Sequence, residues 1–171
     1  MKSIALIEAI LHMMGVRVPH EKHCHHFKRA AQIAPIVLDE LARAKSDLRP
    51  TLVSAMIGKE SSWRWRREGD ATYRKDKGVL VGEHGEIGWA QIKPDGRATE
   101  FCVGIDFHKP AGNIACAIRL LEAARTKCGG EPIDWLGQYH GDPCGPSDYA
   151  GRVLAIEKLG APELIFTDVL P

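Results

Sequence analysis

The chain of 171 residues is long enough for one domain with a sizeable hydrophobic core. Its hydrophobic content of 44% and charged content of 26% are ordinary for a globular protein, and the formal net charge is only +1. This balance argues against a strongly basic protein that binds nucleic acid or anionic membrane surfaces, and no apolar run is long enough to span a bilayer.

The first segment, residues 1–15, begins like a signal peptide because Lys2 precedes a short apolar run. Glu8 interrupts that run, and no small-residue cleavage site is clear. We therefore expect an amphipathic helix. Its apolar face is predicted to contain Ile4, Ile7, Leu11 and Met14.

Histidines follow this helix around Cys24. They are His20, His23, His25 and His26. Adjacent ligands rarely close a tetrahedral site, and no second ligand pair follows at zinc-finger spacing. We therefore expect a polar connection into the next helix, over residues 27–45, within which Pro35 either causes a kink or begins a second helix.

A third helix is predicted from Pro50, which suits a first helical turn. Its apolar stripe consists of Leu52, Val53, Met56 and Ile57. Glu60 continues that stripe, so its carboxyl points towards apolar surroundings, where desolvation raises the pKa. A carboxylic acid that keeps its proton near neutral pH can act as the general acid of glycosidic bond cleavage. A buried salt bridge, or a side chain that turns outward at the helix end, would explain the same spacing without catalysis.

Aromatic and basic residues alternate in the segment 62–86, which includes Trp63, Trp65 and Tyr73. Such a pattern is typical of a stacking groove for single-stranded nucleic acid, of a sugar-binding platform, or of plain surface charge anchored by one buried Trp. The balanced total charge and the lack of a nucleic-acid-binding motif argue against the first. Glycines make the later part rich in turns, and residues 79–81 are predicted to form a strand.

Helices dominate the rest of the chain. We predict a short helix over 97–103, a long helix over 110–127, a short helix over 132–139, and a final helix that Ser147 caps and Gly160 ends. The buried face of the long helix is expected to contain Ile114, Ala117, Ile118, Leu121 and Ala124. The apolar tail, 161–171, is expected to pack back on the domain.

Five cysteines are present, so at least one is unpaired within a monomer. None forms a Cys-x-x-Cys pair, which argues against a zinc ribbon or a thioredoxin-like site. A cytosolic chain would keep all five reduced, whereas an oxidising compartment would allow a bridge between Cys128 and Cys144.

Four short elements, in order, resemble the lytic transglycosylase family, which belongs to the lysozyme-like superfamily together with the goose-type lysozymes. They are Glu60-Ser61 at the end of an apolar helix, Gly88-Trp89-Ala90-Gln91, Asn113-Ile114 near a helix start, and Gln138-Tyr139-His140. The resemblance covers roughly residues 45–158. Trp89-Ala90 replaces the family's Leu-Met, His140 replaces its Asn, and the loop between Glu60 and Gly88 is long.

The resemblance implies a mainly α, lysozyme-like fold with a small irregular or β-hairpin excursion beside the cleft. It implies a single catalytic domain over 1–171, with 1–26 as an N-terminal helical extension. The implied catalytic acid is Glu60, with Ser61, Gln91 and Tyr139 as substrate-binding residues and Tyr139 orienting the Glu60 carboxyl.

The implied substrate is the glycan strand of bacterial peptidoglycan, cleaved to 1,6-anhydromuramic ends by a monomer without metal or organic cofactor and without nucleic acid as a partner. The protein would act at the bacterial cell wall, in the periplasm or outside the cell. Without a clear signal peptide, the expected source is a phage endolysin or an enzyme exported by a dedicated route.

Two alternatives remain open. A lysozyme-type hydrolase would need a second carboxylate, for which Glu86 is best placed and Glu83 and Asp95 are the others. A catalytically silent module that binds glycan or nucleic acid would use the aromatic and basic segment 62–86 without any chemistry.

Overall fold

The computed structural model describes residues 2–20, 22–64, 74–76 and 79–160. Within these ranges the chain is mainly helical, which confirms the predicted class. The helices are α1 (Lys2–Arg17), α2 (His23–Ala44), α3 (Pro50–Ser61), α4 (Arg97–Phe101), α5 (Pro110–Cys128), α6 (Pro132–Trp135), α7 (Gly137–His140) and α8 (Asp148–Leu159). The predicted roles of Trp65, Tyr73 and the tail 161–171 concern residues outside the described ranges.

Helix α3 lies at the centre of the molecule, in contact with α1, α2 and α8. Every residue from 52 to 58 is buried, including the small residues Ser54, Ala55 and Gly58 opposite the predicted stripe. These small side chains let neighbouring groups approach the helix closely. Glu60 is therefore held by an element that is buried almost all around, which makes its position rigid.

The predicted helix α1 is confirmed, but its predicted apolar face is only partly correct, since Met14 is buried and the other three residues are not. Ile4 is 62% exposed, and Ile7 and Leu11 are only half-buried. The buried residues are Leu6, Ala9, Ile10, Met13 and Met14. This second stripe also has helical spacing, and it is the one that faces α2, α3 and α8. Helix α1 thus contributes to the main core. The predicted N-terminal extension ends at residue 26, which lies inside α2 rather than between two helices.

Pro35 lies within one continuous helix, α2, and begins no second helix. The ring is on the exposed side, while Ile33, Ala34 and Val37 pack into the core. Burial of this apolar face offsets the backbone hydrogen bond that proline cannot make. The helix ends at Lys45, which has a left-handed conformation with φ of 50°.

A small antiparallel hairpin is formed by β1 (Arg74–Asp76) and β2 (Val79–Val81), which confirms the strand predicted over 79–81. Single bridges then pair Val81 with Ile87 and Ile87 with Ile92. The segment 87–92 is thereby attached to the edge of the hairpin, which determines where Gln91 lies.

The C-terminal helices agree closely with their sequence patterns. The predicted buried face of α5 is confirmed, and Ser147 caps α8 by accepting a hydrogen bond of 3.2 Å from the Ala150 amide. The short helix predicted over 132–139 is two short helices, α6 and α7, that meet at Leu136. No helix within the described ranges is long and apolar enough to cross a membrane.

Two disulfides connect the C-terminal half. Cys128 is bonded to Cys144, as the sequence allowed, and Cys102 is bonded to Cys116. Cys24 is free and exposed. The first of these bonds joins the end of α5 to the loop that precedes α8, so it encloses both α6 and α7.

Candidate active site

Helix α3 ends sharply just after Glu60. Ser62 and Trp63 both have positive φ, 53° and 58°, which reverses the chain. The indole of Trp63 folds back, is fully buried against Gly58, and donates from Nε1 to the Ser54 carbonyl across 2.9 Å. This reversal places Glu60 in the last turn of a rigid helix, at the edge of a cavity.

The Glu60 side chain is half-buried, and its Oε1 accepts a hydrogen bond of 2.6 Å from the Tyr149 hydroxyl. Burial raises the pKa of Glu60, and this effect outweighs the Tyr149 hydrogen bond and the positive charges of Lys59 and His140, which lower it. The direction agrees with the prediction from spacing. A carboxyl in this environment holds its proton to higher pH than an exposed glutamic acid does.

The predicted contact between Tyr139 and the Glu60 carboxyl is wrong. The Tyr139 hydroxyl instead donates to the Ala90 carbonyl across 2.6 Å. Tyr149 supplies the contact to Glu60, and the two tyrosine rings lie nearly parallel with centroids 6.4 Å apart. Burial, and then the negative charge of Glu60, raise the pKa of each tyrosine well above 10, so both hydroxyls are donors at neutral pH.

Tyr149 is the functional candidate that the sequence did not reveal. The sequence pattern places Tyr149 in the final predicted helix, and the structure buries it there. The pattern gives no information about which group its hydroxyl meets, because that depends on how α8 packs against α3. The ring also lies beneath the ammonium group of Lys59, whose Nζ is 5.4 Å from the ring centroid.

Glu60 lines a cavity of 520 Å³ together with Glu86, Gln91 and Tyr139. The charge of Glu86 contributes to the raised pKa of Glu60, as expected for two carboxyls that face one cavity. Glu86 Oε2 also accepts a hydrogen bond of 3.1 Å from the His84 amide. Three predicted site residues and the candidate second carboxylate are thus brought together.

Gln91 is held in a strained conformation with φ of 47°, and its Nε2 donates to the Gly88 carbonyl across 2.7 Å. Its Oε1 lies beside Gly82, close to Glu86. A Cβ atom at Gly82 would be 2.4 Å from Glu86 Oε2 and 2.8 Å from Gln91 Oε1. A larger residue at 82 would therefore displace the ends of both side chains from these positions.

Ser61 is buried, and its hydroxyl donates to the Ile57 carbonyl across 3.1 Å, one turn back in α3. The structure thus gives this side chain a contact within its own helix. Its predicted contact with substrate stays a prediction.

The buried amide of Asn113, at the start of α5, holds the Gln91 segment in place. Asn113 Oδ1 accepts from the Ala90 amide at 2.9 Å, while Nδ2 donates to the carbonyls of Ile87 at 2.8 Å and Phe107 at 3.2 Å. Three backbone groups from two loops therefore depend on one side chain. The Asn113-Ile114 element of the sequence thus holds the segment that carries Gln91 in position beside the site.

A second cavity, of 420 Å³, adjoins the first, and the two share four lining residues. These are Gln91, Lys93, Tyr139 and His140. His140 is exposed, its ring stacks on Tyr149 with centroids 5.1 Å apart, and its Nδ1 is 3.7 Å from Asp142 Oδ1. Because the two cavities share these four lining residues, they form one groove, which has Glu60 towards one end.

The N-terminal histidines lie apart from this groove in sequence. His26 is buried in the first turns of α2, and its ring meets the edge of His23 at a centroid distance of 5.9 Å. In the part of the chain that the structure describes, no group of three His, Cys, Asp or Glu residues is arranged to hold a metal ion.

Comparisons of the chain with protein-family models, with curated proteins and with solved structures found no match. The interpretation of the groove therefore depends on its own geometry and on the order of the sequence elements that surround it.

Proposed function

We propose that this protein is a lytic transglycosylase that cleaves peptidoglycan at the β-1,4 bond between N-acetylmuramic acid and N-acetylglucosamine. One observation carries the proposal: a rigid helix end presents Glu60 to a groove, with a pKa that burial raises and one oxygen fixed by Tyr149. This is the environment that a general acid needs in order to protonate a glycosidic oxygen near neutral pH.

In the proposed reaction, Glu60 donates its proton to the glycosidic oxygen as the bond to the muramic acid C1 breaks. The resulting carboxylate then accepts the proton of the muramic acid C6 hydroxyl, and O6 bonds to C1 to close a 1,6-anhydro ring. The Tyr149 hydrogen bond holds Oε1, so the second oxygen, Oε2, is the one that exchanges protons with the substrate. The net change breaks one C–O bond and forms another, and no water is consumed.

A lysozyme-like fold belongs to the same proposal. Its support is a central helix that ends at the acid, followed by a hairpin attached to the segment that carries Gln91. The groove lies beside that segment, as the resemblance implies.

Hydrolysis is the second candidate, because Glu86 faces the same cavity as Glu60. A hydrolase would use Glu86 to activate water or to stabilise the cationic transition state, with the carboxyls about 5–9.5 Å apart.

Digestion of purified peptidoglycan, followed by liquid chromatography and mass spectrometry, distinguishes the candidates. The transglycosylase gives muropeptides one water lighter than hydrolytic products, and Glu60→Gln abolishes them while Glu86→Gln retains them. If the wild type instead produces fragments with muramic acid at a free reducing end, and Glu86→Gln does not, the protein is the hydrolase. Glu100→Gln, a substitution at an exposed position on α4, is the matched control and should retain wild-type turnover.

An absence of any fragments from the wild type would contradict both enzymes. Normal binding of glycan strands by wild type and by Glu60→Gln, without turnover, would then support a silent binding module.

A further inference from the structure

The groove differs in charge between its two ends. Around Glu60 the wall has two further carboxylates, Glu83 and Glu86, against one permanent cation, Lys93. The second cavity shares Lys93 with the first and adds Arg97, so it has two permanent cations against a single carboxylate, Asp95. A charged group of the substrate would therefore experience opposite potentials at the two ends.

Arg97 is fixed on this wall rather than extended into solvent. Its side chain is half-buried, and Nη1 donates to the Gln138 carbonyl, which uses one of the five N–H groups of the guanidinium. Lys93, by contrast, is exposed at the boundary between the two cavities. The pair thus combines a fixed planar donor with a mobile ammonium group.

The wall behind Arg97 is itself rigid, because the buried side chain of Gln138 connects three segments. Its Oε1 accepts from Lys127 Nζ on α5 at 2.9 Å, and its Nε2 donates to the Asp142 carbonyl in the following loop. A binding surface that is formed before the ligand arrives loses less entropy on binding. Guanidinium and ammonium groups on such a surface are suited to a carboxylate.

We propose that Lys93 and Arg97 bind a carboxylate carried by the glycan, in the part of the groove beyond Tyr139, and so determine that substituted, acidic strands are preferred to neutral ones. This inference rests on the proposed glycan-cleaving function. The chemical class of the ligand is a saccharide with a carboxylate substituent, either the lactyl group of muramic acid or a peptide attached to it. His140 borders the same space, where it faces Asp142, Tyr149 and Glu60.

The test compares three substrates: glycan strands with intact peptides, the same strands stripped of peptides by an amidase, and neutral chitooligosaccharides. The variants are Lys93→Gln and, as a matched control, Lys28→Gln, an exposed lysine on α2 that borders neither cavity. Glutamine keeps most of the side-chain length and removes the charge, and Lys93 is exposed enough that folding should be unaffected. Arg97→Gln is the second variant, with its melting temperature checked because its contact to Gln138 supports the wall.

We expect Lys93→Gln to lower kcat/KM by about three- to tenfold, mainly through KM, on the acidic strands that carry the recognised carboxylate, and to lower it less on neutral oligosaccharides. The difference between wild type and variant should shrink as salt screens the exposed ammonium. The amidase frees the lactyl carboxylate, which in peptide-bearing strands is an uncharged amide. A loss in Lys93→Gln only on stripped strands therefore identifies the lactyl carboxylate, and a loss only on peptide-bearing strands identifies a carboxylate of the peptide. Equal rates for Lys93→Gln and Lys28→Gln on every substrate, or equal losses on acidic and neutral substrates, would overturn the proposal.

The inference remains testable if the enzyme proposal fails. Fluorescence anisotropy of labelled muropeptides and labelled chitooligosaccharides then measures binding to wild type and to Lys93→Gln directly. Weaker binding of the acidic ligand alone would support the carboxylate site in a protein without turnover, and no difference would overturn it.

Discussion

The Tyr149 hydroxyl donates a hydrogen bond of 2.6 Å to Glu60 Oε1, although the two residues are 89 positions apart in the chain. The bond connects α8 to the last turn of α3 at the edge of the groove. It restrains one oxygen of the proposed acid, and it partly opposes the rise in pKa that burial causes. Position and acidity of Glu60 therefore depend on the same contact.

Replacement of Tyr149 by Phe should change the pH dependence as well as the rate. Because the hydrogen bond lowers the pKa of Glu60, its loss raises that pKa further. A general acid is active only while it is protonated. In Tyr149→Phe the descending limb of the plot of kcat/KM against pH therefore moves to higher pH. At the optimum we expect kcat to fall about tenfold, because the carboxyl is no longer held in one orientation.

Tyr139→Phe is the matched control, since that hydroxyl bonds to the Ala90 carbonyl instead. It should leave the descending limb at its wild-type pH, whatever it does to the rate. A limb that moves equally in both variants would show that Tyr149 has no specific effect on the Glu60 proton.

Glu60→Gln should remove a pH-dependent loss of stability. The pKa of Glu60 is raised in the folded protein, so the folded state binds more protons than the unfolded state once pH exceeds the ordinary value of 4.5. Stability of the wild type then falls as pH rises from 4.5 through the raised folded pKa. Below 4.5 both states are protonated, and this contribution is fully present.

The amide has no such titration, so Glu60→Gln should gain stability relative to wild type as pH rises through that window. Urea unfolding at several pH values measures the difference, with the exposed Glu100→Gln as the reference variant. A difference between Glu60→Gln and wild type that is constant with pH would contradict a raised pKa in the folded state.

Gly58→Ala should destabilise the protein because the Trp63 ring occupies the space of the new methyl group. An added Cβ would lie 2.2 Å from Trp63 Cζ2, and the buried indole has no room to move. We expect a loss of about 1–3 kcal/mol in the free energy of unfolding. Gly151→Ala on α8 is the control, since its Cβ meets nothing within 4 Å, and it should stabilise by about 0.5–1 kcal/mol.

The features that local sequence predicted correctly are those that neighbouring residues determine. Ser147 caps α8 through the backbone three residues on, and the apolar period of α3 carries Glu60 to a partly buried position. The strand over 79–81 is likewise a local pattern, an apolar run in which two of the three residues are β-branched. Each of these depends on backbone geometry within a few residues.

Two of the incorrect predictions depend on contacts between distant elements. Both faces of α1 have apolar residues at helical spacing, and only the packing of α2, α3 and α8 selects the one with Ile10 and Met13. Tyr139 and Tyr149 are both inward-facing, and only the packing of α8 on α3 decides which hydroxyl reaches Glu60. The bond between Cys102 and Cys116, which was not predicted, likewise depends on packing, because it joins the end of α4 to α5.

Asn113→Ala should destabilise the protein and impair the site together. The change leaves the Ala90 amide and the carbonyls of Ile87 and Phe107 without their side-chain partner. We expect a loss of about 2–4 kcal/mol in the free energy of unfolding, because buried polar groups without partners are costly. Activity at a temperature where the variant is fully folded should also fall, since the segment that carries Gln91 is no longer held.

Asn113→Asp separates shape from hydrogen bonding. It keeps the acceptor for Ala90 but replaces the donor to two carbonyls by a carboxylate oxygen, so at neutral pH it should be at least as destabilising as alanine. Wild-type stability in either variant, measured by urea unfolding, would contradict the role given to this amide.

The two disulfides should differ in their response to reductant. Cys102 and Cys116 are buried, whereas Cys128 is half-buried and Cys144 is exposed, so mild reduction should open the second bond first. That bond closes a loop with a sequence separation of 16, and its removal should cost about 3 kcal/mol in the free energy of unfolding.

Because this loop includes Tyr139 and His140, which line both cavities of the groove, activity should fall on mild reduction and return on reoxidation. The double variant Cys128→Ser/Cys144→Ser should show the reduced behaviour permanently, whereas Cys24→Ser, which removes the free exposed thiol, should behave as wild type. Alkylation and mass spectrometry of the partly reduced protein identify which bond opens. Opening of the Cys102–Cys116 bond first, or full activity of the double variant, would show that the Cys128–Cys144 bond does not hold the groove wall in place.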